Sequence, residues 1–323
     1  MSEAVNEDYL KLSNTSATAE IGGRIEQIPI TASFEETLRV FRRDGIVCLT
    51  GVLSSDMVSD ILDEFDLLMA STDMEHFFRG QKDSNPGESI LGVLTKRRSE
   101  ILARSPDLVG QLLTQPRLLE LVNAHLTKYA TSVLIHQIIS LEVLPGEVAQ
   151  ALHRDNALWP MPGNRIPLGV ATMVPLENFT AEAGATQVIL GSHLWPDAGY
   201  IDPKDVEDRL SDGQGWNRYH TPTIDPDAVT VVDAPLGSIV VFDGDVLHGG
   251  GANTTDDIVR KSILFGYCVG WLRGETNQQL MWPPEVARSF PREVQKLIGY
   301  SSEGGILGCI QLGQDPIVLL EDG

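Results

Sequence analysis

Apolar positions recur at helical spacing over the amino-terminal third of the chain and give way, from Ser132 onward, to short β-like runs. Ser33-Phe-Glu-Glu36 is a capping box, with Ser at the N-cap and Glu three residues later. It predicts a helix through Arg43 that Asp44-Gly45 ends. Ile46–Thr50 then reads as a short apolar strand. A second helix, capped by Ser54 or Ser55, carries Val58, Ile61, Leu62, Phe65 and Leu68 on one face. Residues 71–90 mix Gly, Pro, Asn and Asp without a period and read as a loop. Ser105-Pro106-Asp107 starts another helix, with proline in the tolerated first turn, and Pro116 divides it from a helix over 118–126. Strands are predicted over 132–145, Gly169–Pro175, 186–190, 229–232, 238–242 and 259–269, punctuated by Gly, Pro and Asp. Helical pattern returns over 275–300, where Pro283-Pro284 starts the turn. Helices first and strands afterwards predict an α+β fold, with helices buttressing a β-sandwich or barrel. Residues 194–228 interrupt the strands with Trp195, Tyr200, Trp216, Tyr219 and His220, and so long a loop reads as a lid or binding element.

Composition narrows the setting. At 323 residues the chain has room for one large domain or two small ones. The reading adopted is a mobile leader over 1–25 and one domain over 26–323. Within it, helices fall mainly in 33–126, strands in about 132–270, and a helical extension in 275–323. A formal charge of −21 argues against nucleic acid and anionic membrane surfaces as partners. Cys48, Cys268 and Cys309 are widely separated and form no CxxC pair, so neither a disulfide framework nor a zinc ribbon is expected. They read as buried thiols packing as small apolar groups. The amino terminus is polar and acidic, unlike a signal peptide, and no run of about 18 apolar residues occurs. The expected location is the cytoplasm.

The candidate chemistry lies at His153-Arg154-Asp155 and at His248, which ends Phe242-Asp-Gly-Asp-Val-Leu-His248. Two imidazoles and a carboxylate suffice to hold a non-haem Fe(II) with coordination positions left open. On a strand, positions i and i+2 point to one face. His153 and Asp155 can therefore share an ion, provided the fold returns His248 to them. Arg260 lies twelve residues beyond His248, at the start of a strand-like run, where its guanidinium could grip a carboxylate with two prongs. Together these residues point to an oxygenase with an oxo-acid co-substrate. A zinc hydrolase could use the same three ligands, but it would leave Arg260 idle and has no glutamate placed as a base. A jelly-roll binding or scaffold protein with an inactive metal site is the non-enzymatic alternative. His76, His125 and His136 stand outside any ligand spacing and read as surface or core, and His220 as a loop histidine. His193 either supports the metal pocket by hydrogen bonding or is a structural turn residue. Gly304-Gly-Ile-Leu-Gly308 is wrongly placed for a dinucleotide site.

Four stretches carry a resemblance: Phe41-Arg-Arg-Asp-Gly-Ile-Val-Cys-Leu49, Leu152-His-Arg-Asp-Asn156, Gly184-Ala-Thr-Gln-Val-Ile-Leu-Gly-Ser-His193, and His248-Gly-Gly-Gly-Ala-Asn253 with Arg260. Over about residues 34–270 they resemble the phytanoyl-CoA dioxygenase-like branch of the Fe(II)/2-oxoglutarate oxygenases. The resemblance implies a double-stranded β-helix, or jelly roll, with helices packed outside. It implies that His153, Asp155 and His248 form the catalytic Fe(II) centre, with 2-oxoglutarate and O2 as co-substrates and succinate and carbon dioxide released. Arg260 would bind the distal carboxylate, and Thr186 and Gln150 would stand near co-substrate or substrate. Leu190 occupies a position where the family usually has proline, which alters loop stiffness but no ligand. Asp155 fills the position that is Ala or Gly in halogenating relatives, so halogenation is disfavoured. Asn156-Ala-Leu-Trp-Pro160 is similar to fungal members that oxidise terpenoids and alkaloids. The expected substrate is thus a bulky, apolar specialised metabolite, with Thr95, Trp159 and Trp216 as candidate contacts. Hydroxylation, desaturation, rearrangement and endoperoxide formation all remain open. An acyl-CoA substrate is the alternative, but it needs clustered cations for its phosphates. Thr95-Lys-Arg-Arg98 is the only such cluster, and it also reads as a solvated helix start. Family members are often dimers, so a homodimer in which segment 270–323 reaches a partner's pocket is a further expectation.

Overall fold

The computed structural model describes residues 23–71, 92, 94–159, 166–177, 179–195, 226–311 and 313–321. Its first helix, α1 (Phe34–Asp44), begins as the capping box requires: Ser33 Oγ accepts from Glu36 N at 3.2 Å. It ends at Gly45, whose φ of 75° lies in the left-handed region that favours glycine. Helix α2 (Ser55–Ala70) is capped by Ser54 and buries Val58, Ile61, Phe65 and Leu68 of the predicted stripe, while Leu62 is half-buried. Then come α3 (Ile101–Arg104), α4 (Pro106–Leu113) and α5 (Pro116–Leu126). Helix α5 starts two residues before the predicted position, because a proline in the first turn needs no hydrogen-bond acceptor for its nitrogen.

Among the described residues, ten strands follow the order β1 (Gln27–Pro29), β2 (Ile46–Thr50), β3 (Thr95–Arg98), β4 (Val133–Val143), β5 (Gly169–Pro175), β6 (Thr186–Val188), β7 (Thr230–Val231), β8 (Ile239–Asp243), β9 (His248–Gly250) and β10 (Arg260–Val269). Seven form one sheet in the order β1-β2-β8-β5-β10-β4-β3, and three form a second in the order β7-β6-β9. Pairing is antiparallel except between β1 and β2.

The period of two along the strands divides the large sheet into two faces. Val47, Leu49, Ile239, Val241, Ile263 and Phe265 share one apolar cluster with Phe41, Ile61, Leu112 and Leu121 of the helices. Ile46, Cys48, Ala171, Met173, Val240 and Phe242 share another with Ala185, Val188, Val232 and Val246 on the small-sheet side. Each such side chain contributes about 1.5–3 kcal/mol by leaving water. The result is the expected α+β architecture, a jelly roll with helices buttressing its outer face.

Several elements differ from expectation. Thr95–Arg98 is not a solvated helix start but an edge strand paired with β4. It has no apolar alternation to reveal it; the ladder to β4 supplies its conformation. Lys96 pairs with Glu142 directly across the register, and Arg98 with Glu100, while Thr95 and Arg97 face inward. The helical pattern over 275–300 resolves into three short helices, α6 (Gln278–Met281), α7 (Pro284–Ala287) and α8 (Arg292–Leu297). Cys48 and Cys268 are buried as expected, whereas Cys309 is only partly covered. Most of the leader, the loop after α2 with His76, and the stretch carrying Tyr200, Trp216, Tyr219 and His220 lie outside the described residues. No helix among the described residues is long and apolar enough to cross a membrane.

Candidate metal centre

The chain between β4 and β5 runs antiparallel along β9. His153 N donates to His248 O at 2.8 Å, and His248 N to His153 O at 3.0 Å. This bridge brings the distant histidine back, leaving the two imidazole centroids 4.6 Å apart. Arg154 is extended (φ −120°, ψ 132°), so His153 and Asp155 share a side. The strand does not continue as expected, however: Asp155 opens a short 3-10 helix, Asp155–Leu158. Asn156 N is drawn to Gly244 O at 2.9 Å, which turns the chain there.

Three donor atoms converge. Asp155 Oδ1 lies 3.8 Å from His153 Nε2 and 3.6 Å from His248 Nε2, and all three atoms fall within 4.8 Å of one another. Atoms bound about 2 Å from a shared ion stand about 3–4 Å apart. The backbone also sets the tautomers. His153 Nδ1 lies 2.9 Å from Ala151 O, and His248 Nδ1 3.1 Å from Val246 O. A carbonyl only accepts, so each Nδ1 carries a proton and each Nε2 presents its lone pair toward Asp155. Burial, reinforced by His248, lowers the His153 imidazole below its ordinary range and favours the neutral, ligating form. Asp155 Oδ2 is buried without a hydrogen-bond partner. A divalent ion fits this donor set, since it would compensate the carboxylate and use both lone pairs.

Residues beneath the ligands hold them in place. Arg154, 3% exposed, donates to Ser192 O at 2.9 Å and to Asp245 O. It thereby ties the His153–Asp155 segment to the loop after β6 and to the turn before His248. That turn is fixed again by Asp243, whose Oδ1 accepts from Asp245 N at 2.8 Å and whose Oδ2 lies 2.9 Å from His125 Nε2. Burial opposes ionisation of Asp243, yet the neighbouring His125 holds its carboxyl below the usual range. His125 is thus a core residue on α5, as expected of a histidine outside ligand spacing. His193 proves to be the structural turn residue: its Nε2 lies 3.1 Å from Arg42 O at the end of α1, and it does not line the cavity.

The donors open into a cavity of about 770 Å³ between β3, β4 and the small sheet. Gln150, Thr186, Arg260, Thr95 and Trp159 all line it. Trp216 lies outside the described residues. Arg260, 6% exposed, donates to Gly184 O, and its guanidinium carbon sits 5.0 Å from the Phe179 ring centre. Its Nε has no partner. Burial and the charge of Arg97 lower this guanidinium to about 10, against Glu147, so it stays charged at neutral pH. Gln150 Oε1 accepts from Gly250 N at 2.6 Å, and Thr186 Oγ1 lies 3.5 Å from Met173 Sδ. Thr95 donates to Glu147 Oε2 at 2.8 Å, which also accepts from Leu94 N at 2.6 Å. The glycine run after His248 permits a close approach: a Cβ on Gly251 would lie 2.7 Å from Ala185 O.

The sequence reading gave no site role to Arg97, Glu147, Arg154, Arg273 or Glu275, which also line the cavity. Burial lowers the Arg97 guanidinium to about 10, against the nearby carboxylates of Glu275 and Glu147. A strand reading of Thr95–Arg98 would have found Arg97, because alternation then turns every second side chain inward.

Two sheets rolled around a His-Asp-His donor set, with an inward guanidinium beside it, define a jelly-roll oxygenase of the iron class. Comparison with known proteins supplies the family. The phytanoyl-CoA dioxygenase (PhyH) family model matches residues 41–262, and the chain belongs to that family. It is an Fe(II)/2-oxoglutarate-dependent dioxygenase. The multifunctional dioxygenase prhA of Penicillium brasilianum is 27% identical over 285 residues, covering 86% of this chain and 87% of that protein. Dioxygenase swnH2 of Arthroderma benhamiae is 27% identical over 308 residues, covering 90% and 88%. Among solved structures, the non-haem α-ketoglutarate-dependent epimerase SnoN from nogalamycin biosynthesis superposes with a TM-score of 0.52 at 22% identity, covering 73% of this chain and 83% of that one. At that identity the likeness shows the fold.

Proposed function

We propose that His153, Asp155 and His248 hold one Fe(II) and that Arg260 receives the distal carboxylate of 2-oxoglutarate. The observation that carries this reading is the convergence of two Nε2 lone pairs and one carboxylate oxygen, both imidazoles being oriented by backbone hydrogen bonds. When bound, iron and 2-oxoglutarate supply the activation of O2 that oxidises a C–H bond, with succinate and carbon dioxide released. The protein's own residues bind, orient and exclude water. Arg260, with its unpartnered Nε, offers the two-pronged grip on a carboxylate. Arg97 acts electrostatically on both Arg260 and His153. It is therefore placed to hold charge near the iron-binding end of the same dianion. Gln150 and Thr186 complete that end of the cavity.

The substrate is a bulky, largely apolar natural product. A cavity of about 770 Å³ suits one, and Ile139, Leu141, Val143 and Leu264 supply an apolar wall. The structural neighbour SnoN belongs to nogalamycin biosynthesis, which favours a natural product. An acyl-CoA fits less well, because Lys96 and Arg98 are occupied by Glu142 and Glu100. Hydroxylation, desaturation or rearrangement follows from how the substrate lies against the donors. Residues 26–323 act as one catalytic unit in this reading. A homodimer is included in it, supported by the exposed Ile306 and Leu307 at 76% and 54%.

Substrate-independent turnover tests the reading. With Fe(II), 2-oxoglutarate and air, the protein is expected to form succinate slowly, and the zinc-loaded protein none. Equal succinate from both preparations would remove iron from the account.

A further inference from the structure

Among the described residues, two charged side chains on the cavity wall, Arg273 and Glu275, make no side-chain hydrogen bond, and Glu275 feels the charge of Arg97. Glu275 sits in the loop after β10, and among the described residues it makes no hydrogen bond; its ionic neighbour is His136 Nδ1, 4.0 Å away. His136 gives it no charge. It is 1% exposed, and burial pushes its imidazole down to about 4, so it is neutral near pH 7. The Glu275 backbone is nevertheless held firmly. Trp159 Nε1 donates to Arg273 O at 2.8 Å, and Thr276 N donates to His136 O at 2.9 Å, so the loop is tied down on both sides of the residue. Trp159 meets His136 edge to face, with ring centroids 5.1 Å apart, and lines the same cavity. One buried histidine is thus a neighbour of both the indole and the carboxylate.

A carboxylate beside an aromatic face is a receptor for an organic cation. The ring quadrupole and the anion attract it together, and a partly desolvated wall strengthens both effects. We propose that Glu275 and Trp159 form a subsite for a protonated amine of the substrate, which makes this oxygenase specific for a basic, nitrogen-containing apolar molecule. The proposal rests on the oxygenase reading of the cavity. Burial and then the charge of Asp155 push the Glu275 carboxyl up to about 7, against Arg97, although solvent at its 32%-exposed side chain weakens the shift. An incoming cation relieves that strain. The formal charge of −21 also draws cations toward the protein. The plain alternative is a solvated carboxylate at a cavity mouth, which has no preference between a cation and its neutral isostere.

Calorimetric titration separates the two, using protein loaded with Fe(II) and 2-oxoglutarate under argon. The probes are 1-aminoadamantane, a bulky cation, and 1-adamantanol, its neutral isostere. The amine is expected to bind about tenfold more tightly than the alcohol. Glu275→Gln is expected to bring the two within about twofold while leaving the alcohol's affinity unchanged. Equal binding to the native protein, a preference that survives Glu275→Gln, or no binding of the amine at millimolar concentration would each overturn the subsite. Iron loading and succinate formation in Glu275→Gln report separately on the oxygenase reading, which stands if they are intact.

Discussion

Replacing Arg260 by Leu is expected to raise the KM for 2-oxoglutarate about 100-fold, equivalent to about 3 kcal/mol of lost binding. The guanidinium stands at the first position of β10, is 6% exposed, and keeps an unpartnered Nε in the same cavity as the donor set that would hold the iron. Leucine keeps much of the bulk and removes the charge, so a carboxylate entering this end would be desolvated without a partner. Lysine keeps the charge but not the planar fork, and Arg260→Lys is expected to fall between, at about tenfold. Succinate release measured against 2-oxoglutarate concentration reads both variants. A KM within about threefold of the native value for Arg260→Leu would move the co-substrate's distal carboxylate elsewhere.

A comparably large effect is expected from a residue that is not among the three metal-ligating candidates. Arg154→Met removes the donor that Ser192 O and Asp245 O share beneath the ligands. Two buried carbonyls lose a charged partner, at a cost of about 3 kcal/mol in unfolding free energy. Because the same contacts hold the turn that presents His248, the dissociation constant for Fe(II) is expected to rise about 10–100-fold as well. Urea denaturation reads the first effect and anaerobic metal titration the second. A variant that loses stability but binds iron as before would show that the turn keeps its shape without Arg154.

What the sequence revealed and what it hid follow from the range of each interaction. The capping box at Ser33 and the stripe of α2 are local, and both appear where the pattern places them. The triad was legible because a two-residue spacing constrains side-chain direction even where the strand soon ends: one extended residue, Arg154, suffices. Strand β3 was hidden, since its conformation comes from pairing with β4, a partner more than 30 residues away. Arg97 was lost with it. Arg154 was invisible for a related reason: its carbonyl partners lie 38 and 91 residues along the chain, and no spacing rule reports them. His193 looked able to support the metal by its place in the chain, but Gly191 and the short 3-10 turn after it aim the ring at Arg42 O.

The account turns on one ferrous ion shared by His153, Asp155 and His248. Anaerobic titration of the protein with Fe(II) in the presence of 2-oxoglutarate tests this most directly. A weak visible charge-transfer band is expected to saturate at one iron per chain, and His248→Ala is expected to show none. A band of equal intensity in His248→Ala would place the iron on other ligands.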